Sequence, residues 1–255
     1  MIKFLYNILG KKSDRLFEWD ESNNRFLTIE NNGNVDFDHL INVDRQKEII
    51  LKNTILFSEG KPANNVLLWG ARGTGKSSLV LASFKKVAKN SSLSMIEVKN
   101  TQIKSLSRIK RELSKKNEKY IIFCDDFSFD IKDENFLLFK NIVDGSARKN
   151  SNIIFYATSN YRHLIKLSEK DQFYNNLDKK EFVEDTAALS DRFGIWLGFH
   201  NFDTYKYLAV VNIYKEIYKI KLPLEVLQKK ALQWSIERGS RSGREAKNFI
   251  KTLIN

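Results

Sequence analysis

A glycine-rich segment that begins at residue 70 has the residue types and spacing of a phosphate-binding loop. Glycines let the backbone curl so that successive N–H groups point at phosphate oxygens, and a helix that follows adds partial positive charge. In the pattern G-x-x-x-x-G-K-[ST], the lysine bridges the β and γ phosphates, and the serine or threonine that follows it holds Mg²⁺ through its hydroxyl. The segment therefore predicts a nucleoside triphosphate ligand. The predicted binding residues are Gly70, Ala71, Arg72, Gly73, Thr74, Gly75, Lys76, Ser77 and Ser78.

Two carboxylates and an amide follow apolar segments farther along the chain. Asp125 and Asp126 come directly after one apolar run, and Asn160 lies at the polar end of a second. In this pattern the first carboxylate reaches the Mg²⁺ shell, and the second can polarise an attacking water. The amide of Asn160 suits holding that water near the γ-phosphate. We therefore predict a Mg²⁺ site at Ser77 and Asp125, and catalytic roles for Asp126 and Asn160.

Two patterns that would assign the loop to other nucleotide-binding classes do not occur. The sequence contains no [NT]-K-x-D guanine-reading segment and no L-S-G-G-Q-like signature. A GTPase and a transporter ATPase are therefore disfavoured.

The elements that must position these residues alternate until about residue 200. Continuous apolar runs favour strands covered on both faces, as in the parallel sheet of an α/β sandwich. Asp44 is placed to cap a helix before the first of these strands. After residue 200 only helices are predicted, and Asp203, Pro223 and Ser242 each stand where one of them begins. They would form a small lid, and the first of these helices is predicted to bury one face that carries Leu208, Ala209, Ile213 and Ile217. The predicted strands lie at 66–69, 94–98, 120–124, 152–157 and 195–199.

This combination resembles the AAA+ ATPase superfamily, and more narrowly a bacterial AAA+ family catalogued as a domain of unknown function. The resemblance implies a P-loop NTPase parallel-sheet sandwich of strand order 5-1-4-3-2, followed by the lid. It divides the chain into an N-terminal arm at 1–40, a nucleotide-binding α/β domain at 41–201 and a helical lid at 202–255. The segments that carry it are 43–48, 62–70, 123–126, 156–160, 189–194 and 239–244.

The resemblance also implies roles for residues within these segments. The loop at 70–77 takes the Walker A role, Asp125 and Asp126 take the Walker B role, and Asn160 is the first sensor. Most relatives carry Glu at the second Walker B position, so the shorter Asp126 implies slower turnover. Relatives that thread proteins carry an aromatic residue in a loop that corresponds to 99–104, and this chain has none there.

Two arginines and two apolar residues complete the implied site. Arg192 stands where related ATPases carry an arginine finger directed at a neighbour's γ-phosphate, and Arg244 stands in the lid as the second sensor. Leu40 and Ile41 precede the first matched helix, where such proteins usually cradle adenine. Arginine suits the finger role because its planar fork matches phosphate oxygens.

Each arginine also has a structural interpretation. Arg192 could form an ion pair with Asp191 or another acid, and Arg244 could be a solvated residue at a helix start. Arg241 competes with Arg244 for the second-sensor role.

The composition indicates one soluble protein of 255 residues without a membrane span. The apolar start at 1–10 is interrupted by Lys3 and Asn7, which favours a short helix or packing arm. The single Cys124 lies in an apolar run, which excludes a disulfide framework and favours the cytoplasm.

The net charge of +12 is concentrated at 101–120 and 229–251. A basic surface can bind nucleic acid or can be a solvated face. The solvated face is favoured because aromatic residues do not interleave with the charges.

The leading interpretation is an ATPase that hydrolyses Mg-ATP to ADP and phosphate, forms homo-oligomers and remodels or regulates an unidentified client protein. The alternatives are a nucleotide-gated binding module with negligible turnover and a DNA-associated loader or replication-type ATPase. ATP and Mg²⁺ are the predicted cofactors. His163 and His200 are interpreted as structural, and the polar stretch at 167–186 as an interaction loop or a disordered segment.

Overall fold

The computed structural model describes residues 15–29, 36–130, 133–144, 152–166, 189 and 191–254. The predicted arm at 1–10 and the polar stretch at 167–186 lie outside the described residues. Within the described part of the chain, no helix is both long enough and apolar enough to cross a membrane.

Strands and helices alternate through most of the described chain, and three helices close it. A short 3₁₀ helix, Asn100–Ser105, precedes the third α-helix. The strands are β1 (Leu16–Asp20), β2 (Arg25–Thr28), β3 (Val66–Gly70), β4 (Ser94–Val98), β5 (Tyr120–Cys124), β6 (Ile153–Ser159) and β7 (Ile195–Phe199). The α-helices are α1 (Asp44–Ser58), α2 (Lys76–Ala88), α3 (Leu106–Leu113), α4 (Glu134–Asp144), α5 (Thr204–Ile217), α6 (Leu224–Glu237) and α7 (Gly243–Lys251).

The strands form one seven-stranded sheet of order β2-β1-β4-β5-β6-β3-β7. Every pairing is parallel except that between β1 and β2. The predicted α/β class is confirmed, and the predicted order 5-1-4-3-2 corresponds to β7-β3-β6-β5-β4. That order is incomplete, however, because a hairpin of β1 and β2 from the predicted N-terminal arm extends the sheet beyond β4.

Apolar side chains cover both faces of the sheet, as the continuous apolar runs predict. On one face, Ile50 of α1 and Phe84 of α2 pack in a core that includes Val66 and Leu68 of β3. On the other face, α3 and α4 pack against alternate residues of the same strands. The central strands β5 and β6 are buried along their whole length, so the polar residues that follow them emerge at one edge of the sheet.

The last three helices form a separate small core. The side chain of Asp203 accepts a hydrogen bond from the backbone N–H of Lys206, and Ser242 accepts one from that of Glu245, so both predicted caps are present. Asp44, in contrast, is the first residue of α1 and does not cap it, since the N-cap position belongs to Val43.

The face of α5 that packs in this core matches the predicted one only in part, since Leu208 packs against the core as predicted. The sequence pattern places Leu208, Ala209, Ile213 and Ile217 on the apolar face, whereas the buried residues are Tyr207, Val210 and Val211. Ile217 is 41% exposed. Ile217 lines the cleft instead, together with Val210 and Tyr214 of the same helix.

Candidate functional site

The glycine-rich loop joins the end of β3 to the start of α2. Glycines at three of its positions have positive φ values, which L side chains rarely adopt: Gly70, Gly73 and Gly75. The Nζ atom of Lys76 donates hydrogen bonds to the backbone oxygens of Gly70 and Ala71, both at 2.8 Å. The lysine is thereby held across the mouth of the loop, at the N-terminus of α2, where backbone N–H groups are free of intrahelical partners.

Ser77, Asp125 and Thr158 meet where α2 begins and β5 and β6 end. The Ser77 hydroxyl donates a hydrogen bond to Oδ1 of Asp125 at 2.5 Å, and the Thr158 hydroxyl donates to the same oxygen at 2.5 Å. Thr158 also accepts a hydrogen bond from the backbone N–H of Asp126 at 2.9 Å. One threonine hydroxyl therefore contacts both acidic residues, and sequence reasoning did not single it out.

Asn160 connects the second carboxylate to the lysine of the loop. Its Nδ2 group donates a hydrogen bond to the Asp126 carboxylate, and its Oδ1 atom accepts one from Lys76 at 3.3 Å. Asp126 has a φ of 53°, a left-handed conformation that is uncommon for a residue with a side chain. This backbone turn directs consecutive carboxylates to different partners, with Asp125 on the hydroxyl groups and Asp126 on the amide.

These polar groups line a cleft of about 1220 Å³ between the sheet edge and the lid. Leu40 and Ile41, predicted to contact adenine, line it as well. Sequence reasoning missed the opposite wall, which belongs to the lid. Its members are Phe202, Val210, Tyr214, Ile217, Tyr218 and Lys247. The lining of the cleft thus combines the polar loop and carboxylates with apolar and aromatic side chains, and it also includes Lys85, Lys86 and Lys89.

The lid contacts the phosphate-binding loop directly. The backbone N–H of Gly243 donates a hydrogen bond to the oxygen of Gly73 at 2.9 Å. A Cβ atom at Gly73 would lie 2.7 Å from the Ser242 hydroxyl and 3.1 Å from the Cβ of Arg244, so only glycine fits there. Arg244 lines the cleft, whereas Arg241 is absent from the cleft lining formed by the described residues. The position of Arg244 in the cleft lining therefore favours it over Arg241 as the candidate for the second-sensor role.

Burial changes the proton affinity of the loop lysine. The pKa of Lys76 falls from 10.5 to about 8, chiefly because burial disfavours the ammonium, although Asp126 and Asp125 oppose the shift. A lysine with a lowered pKa next to two carboxylates is characteristic of a functional site. Oxygen ligands from Ser77 and Asp125 suit Mg²⁺, which is a hard cation.

Arg192 lies outside the lining of this cleft. Its Nε atom is 2.7 Å from Oδ1 of Asp144, the last residue of α4. The partner is therefore an acid other than the neighbouring Asp191. The Arg192 side chain is 52% exposed, so the ion pair lies at the surface.

The remaining candidates have structural partners. The ring of His163 contacts Trp196, and the ring of His200 contacts Trp69. No group of three or more histidine, cysteine, aspartate or glutamate residues is placed to hold a metal ion in the part of the chain that the structure describes. Burial raises the pKa of Cys124, which keeps its thiol protonated.

Two solved structures share the fold of this chain. The AAA domain of FIGL-1 in complex with ADP is 11% identical, with 87% of this chain and 85% of that chain covered and a TM-score of 0.54. A point mutant of Thermotoga maritima RuvB is 12% identical, with 86% and 72% covered and a TM-score of 0.52. The chain has the fold of an AAA+ ATPase.

The particular family follows from the sequence. Residues 12–255 match the family described as "Protein of unknown function (DUF815)", and the chain belongs to that family. No curated protein matches it in sequence.

Proposed function

We propose that this protein is an AAA+ ATPase that binds Mg-ATP in the cleft between sheet and lid, hydrolyses it as a homo-oligomer, and uses the cycle to remodel or regulate a client protein. One observation carries the proposal. A continuous chain of hydrogen bonds joins Ser77, Asp125, Thr158, Asp126, Asn160 and Lys76 in the polar part of the cleft lining.

Each member of this chain has a task that its position supports. Lys76 and the backbone N–H groups of the loop bind the β and γ phosphates. Ser77 and Asp125 would hold Mg²⁺, and the bound ion would neutralise negative charge on the phosphates. Asp126 accepts a proton from the attacking water, and Asn160 orients that water because its amide contacts the Asp126 carboxylate.

The apolar part of the cleft lining suits a nucleobase. Leu40 and Ile41 form one apolar wall, and Tyr214 and Tyr218 lie on the lid side. The contact between Gly243 and Gly73 brings Arg244 near the loop, which supports a phosphate-binding role for Arg244 in the same subunit. Closing the lid would thus be coupled to nucleotide binding.

Arg192 supports the oligomeric part of the proposal. Its side chain is half exposed and lies outside its own cleft, so it could reach a phosphate only on another copy of the chain. A cation that arrives only on assembly would make turnover depend on oligomer formation.

A second candidate is a nucleotide-gated binding module with negligible turnover. The hydrogen bond between Asn160 and Asp126 favours it, because a short carboxylate that is already engaged by an amide is less able to accept a proton from water. Both candidates require ATP binding, and they differ in phosphate release.

The test measures thermal unfolding and phosphate release for the wild type, Lys76→Ala and Asp126→Asn, with the exposed Lys52→Ala as matched control. We expect Mg-ATP at a concentration of 100 times its Kd to raise the free energy of unfolding of the wild type by about 2.7 kcal/mol. Lys76→Ala should lose both binding and turnover, Asp126→Asn only turnover, and Lys52→Ala neither. A wild type that gains no stability from Mg-ATP would overturn both candidates. Binding without turnover at any protein concentration would select the binding module.

A further inference from the structure

Arg192 lies against a carboxylate of α4. Its Nε atom is 2.7 Å from Oδ1 of Asp144, which belongs to that helix. The Arg192 and Asp144 side chains are 52% and 33% exposed, so the arginine is the more accessible of the two.

The contact between the two residues is electrostatic. Oδ1 of Asp144 is buried and accepts no hydrogen bond of good alignment within the described residues, although Nε of Arg192 lies 2.7 Å away. Attraction between charges is stronger where water is excluded from one of them. The burial of this one oxygen favours the contact, although the Arg192 side chain is 52% exposed and that of Asp144 is 33% exposed.

The edge of the guanidinium that Asp144 contacts decides what the contact can do. Asp144 approaches Nε, at 2.7 Å, and within the described residues no hydrogen bond reaches the two terminal nitrogens of Arg192. Those terminal nitrogens form the fork that binds phosphate oxygens. A carboxylate that approaches Nε can orient the arginine while the hydrogen-bonding capacity of this fork stays available.

The backbone of Arg192 is anchored as well. Its N–H donates a hydrogen bond to the Leu189 oxygen at 3.0 Å, and its own oxygen lies 3.5 Å from Nδ2 of Asn65. Asn65 in turn accepts a hydrogen bond from the backbone N–H of Phe155 in β6 at 2.9 Å. The turn that carries Arg192 is therefore tied to the centre of the sheet, so the remaining freedom of the guanidinium lies mainly in its side chain.

We propose that Asp144 is a positioning residue for Arg192, which it holds so that the terminal nitrogens project toward the phosphates of ATP bound to a neighbouring copy of the chain. This inference rests on the proposed function. It assigns Asp144 no contact with the nucleotide, so its effect must pass entirely through Arg192.

The experiment compares Asp144→Ala, Asp144→Asn, Arg192→Ala and the double variant Asp144→Ala/Arg192→Ala in the full chain. We expect Asp144→Ala to lower kcat about 10- to 100-fold, because small misplacement of a catalytic group has effects of this order. Its KM for ATP and its stabilisation by Mg-ATP should match the wild type. Asp144→Asn keeps an oxygen beside Nε but loses the charge, so its kcat should be intermediate. Glu59→Ala removes the acid of a surface ion pair with Lys61 and is the matched control, with unchanged kcat.

The double variant separates positioning from a general effect on the fold. If Asp144 acts through Arg192, the double variant should be no slower than Arg192→Ala alone. A further loss in the double variant would overturn the proposal, as would full turnover in both Asp144 variants when Arg192→Ala is inactive. The ATPase function would survive either result. Full turnover in Arg192→Ala would overturn both the positioning role of Asp144 and the finger role of Arg192. A wild type without turnover would overturn the ATPase function itself. If Asp144→Ala does not fold, Asp144→Asn carries the same comparison.

Discussion

The hydroxyl of Ser77 lies 2.5 Å from a carboxylate oxygen of Asp125, to which it donates a hydrogen bond. The two residues are 48 positions apart in the chain. They meet because α2 begins, and β5 ends, at the same edge of the sheet. Two separate sequence motifs thus supply two adjacent oxygens, and that adjacency is the basis of the Mg²⁺ site proposed for this cleft.

Replacing Ser77 should affect the metal more than the nucleotide. Ser77→Ala removes one proposed Mg²⁺ ligand, so the Mg²⁺ concentration for half-maximal phosphate release should rise by a factor on the order of 10 or more. ATP binding in the presence of EDTA should change little, because the loop backbone and Lys76 remain. Magnesium titrations of the variant and of Ser58→Ala, a serine outside the cleft lining, would measure the difference. Equal magnesium requirements in all three proteins would contradict the site.

The Thr158 hydroxyl should matter through both of its hydrogen bonds. Thr158→Val keeps the shape of this buried side chain but removes one donor to Asp125 and leaves the Asp126 N–H without its acceptor. We expect a loss of Mg²⁺ affinity of about 10- to 100-fold, as is usual for residues that orient metal ligands. Thr158→Ser keeps the hydroxyl and should stay near wild type in the same titration. A serine variant as impaired as the valine variant would point to methyl packing instead.

Lys76 should make ATP binding depend on pH. Its pKa of about 8 means that much of the side chain is neutral above pH 8, and a neutral amine attracts phosphate less. ATP affinity should therefore fall as the pH rises from about 7 to about 9.5, and binding near pH 8.5 should take up protons. Calorimetry in two buffers of different ionisation enthalpy would measure that uptake. Its absence would contradict the lowered pKa.

The same shift has a defined effect on stability. The folded protein releases the Lys76 proton near pH 8 and the unfolded chain near pH 10.5, so between these values the unfolded chain binds more protons. The contribution of Lys76 to the free energy of unfolding should therefore rise with pH across this window. Lys76→Met has no such proton, and the difference between wild type and this variant in urea unfolding at the two ends of the window isolates the effect.

Arg192 should be needed for turnover but not for binding. Arg192→Ala should bind ATP nearly as the wild type does and lose turnover by a factor on the order of 10³ if the arginine acts as known fingers do. Mixing it with Lys76→Ala should restore part of the activity, because a mixed interface pairs an intact loop with an intact Arg192. Mixed oligomers without recovery, or full activity in a dilute monomer, would return Arg192 to a purely structural role beside Asp144.

The phosphate-binding loop and the five strands β3 to β7 could be predicted because their signals are local. Glycine spacing and continuous apolar runs are visible in a short window of sequence. The part played by Thr158 was not visible, because a hydroxyl inside a strand is ordinary until the pairing of β5 and β6 places it beside both acids. Tyr214 and Tyr218 were missed for a similar reason, since only the lid's position over the loop exposes them to the cleft.

The sequence signal for the hairpin of β1 and β2 is weaker than the signals for the loop and the other strands. Its turn includes Asn23 and Asn24, and Asn24 has a φ of 49°, as expected for a residue that tolerates the left-handed region. The strands on either side mix charged and aromatic residues, so neither run stands out. Pairing with the distant β4 depends on the tertiary fold and could not be read from residues 16–28.

The position of this hairpin bears on how the protein can be cut for expression. A fragment that starts near residue 43, where the superfamily resemblance begins, would remove the strand that pairs with β4. Leu16, Phe17 and Trp19 of β1 are buried in the cores on the two faces of the sheet, so their neighbours would become exposed. The unpaired N–H and C=O groups of β4 would then form an open edge, which is a template for intermolecular strand pairing and aggregation. A recombinant fragment meant to resist aggregation should therefore keep the hairpin from Leu16 onward.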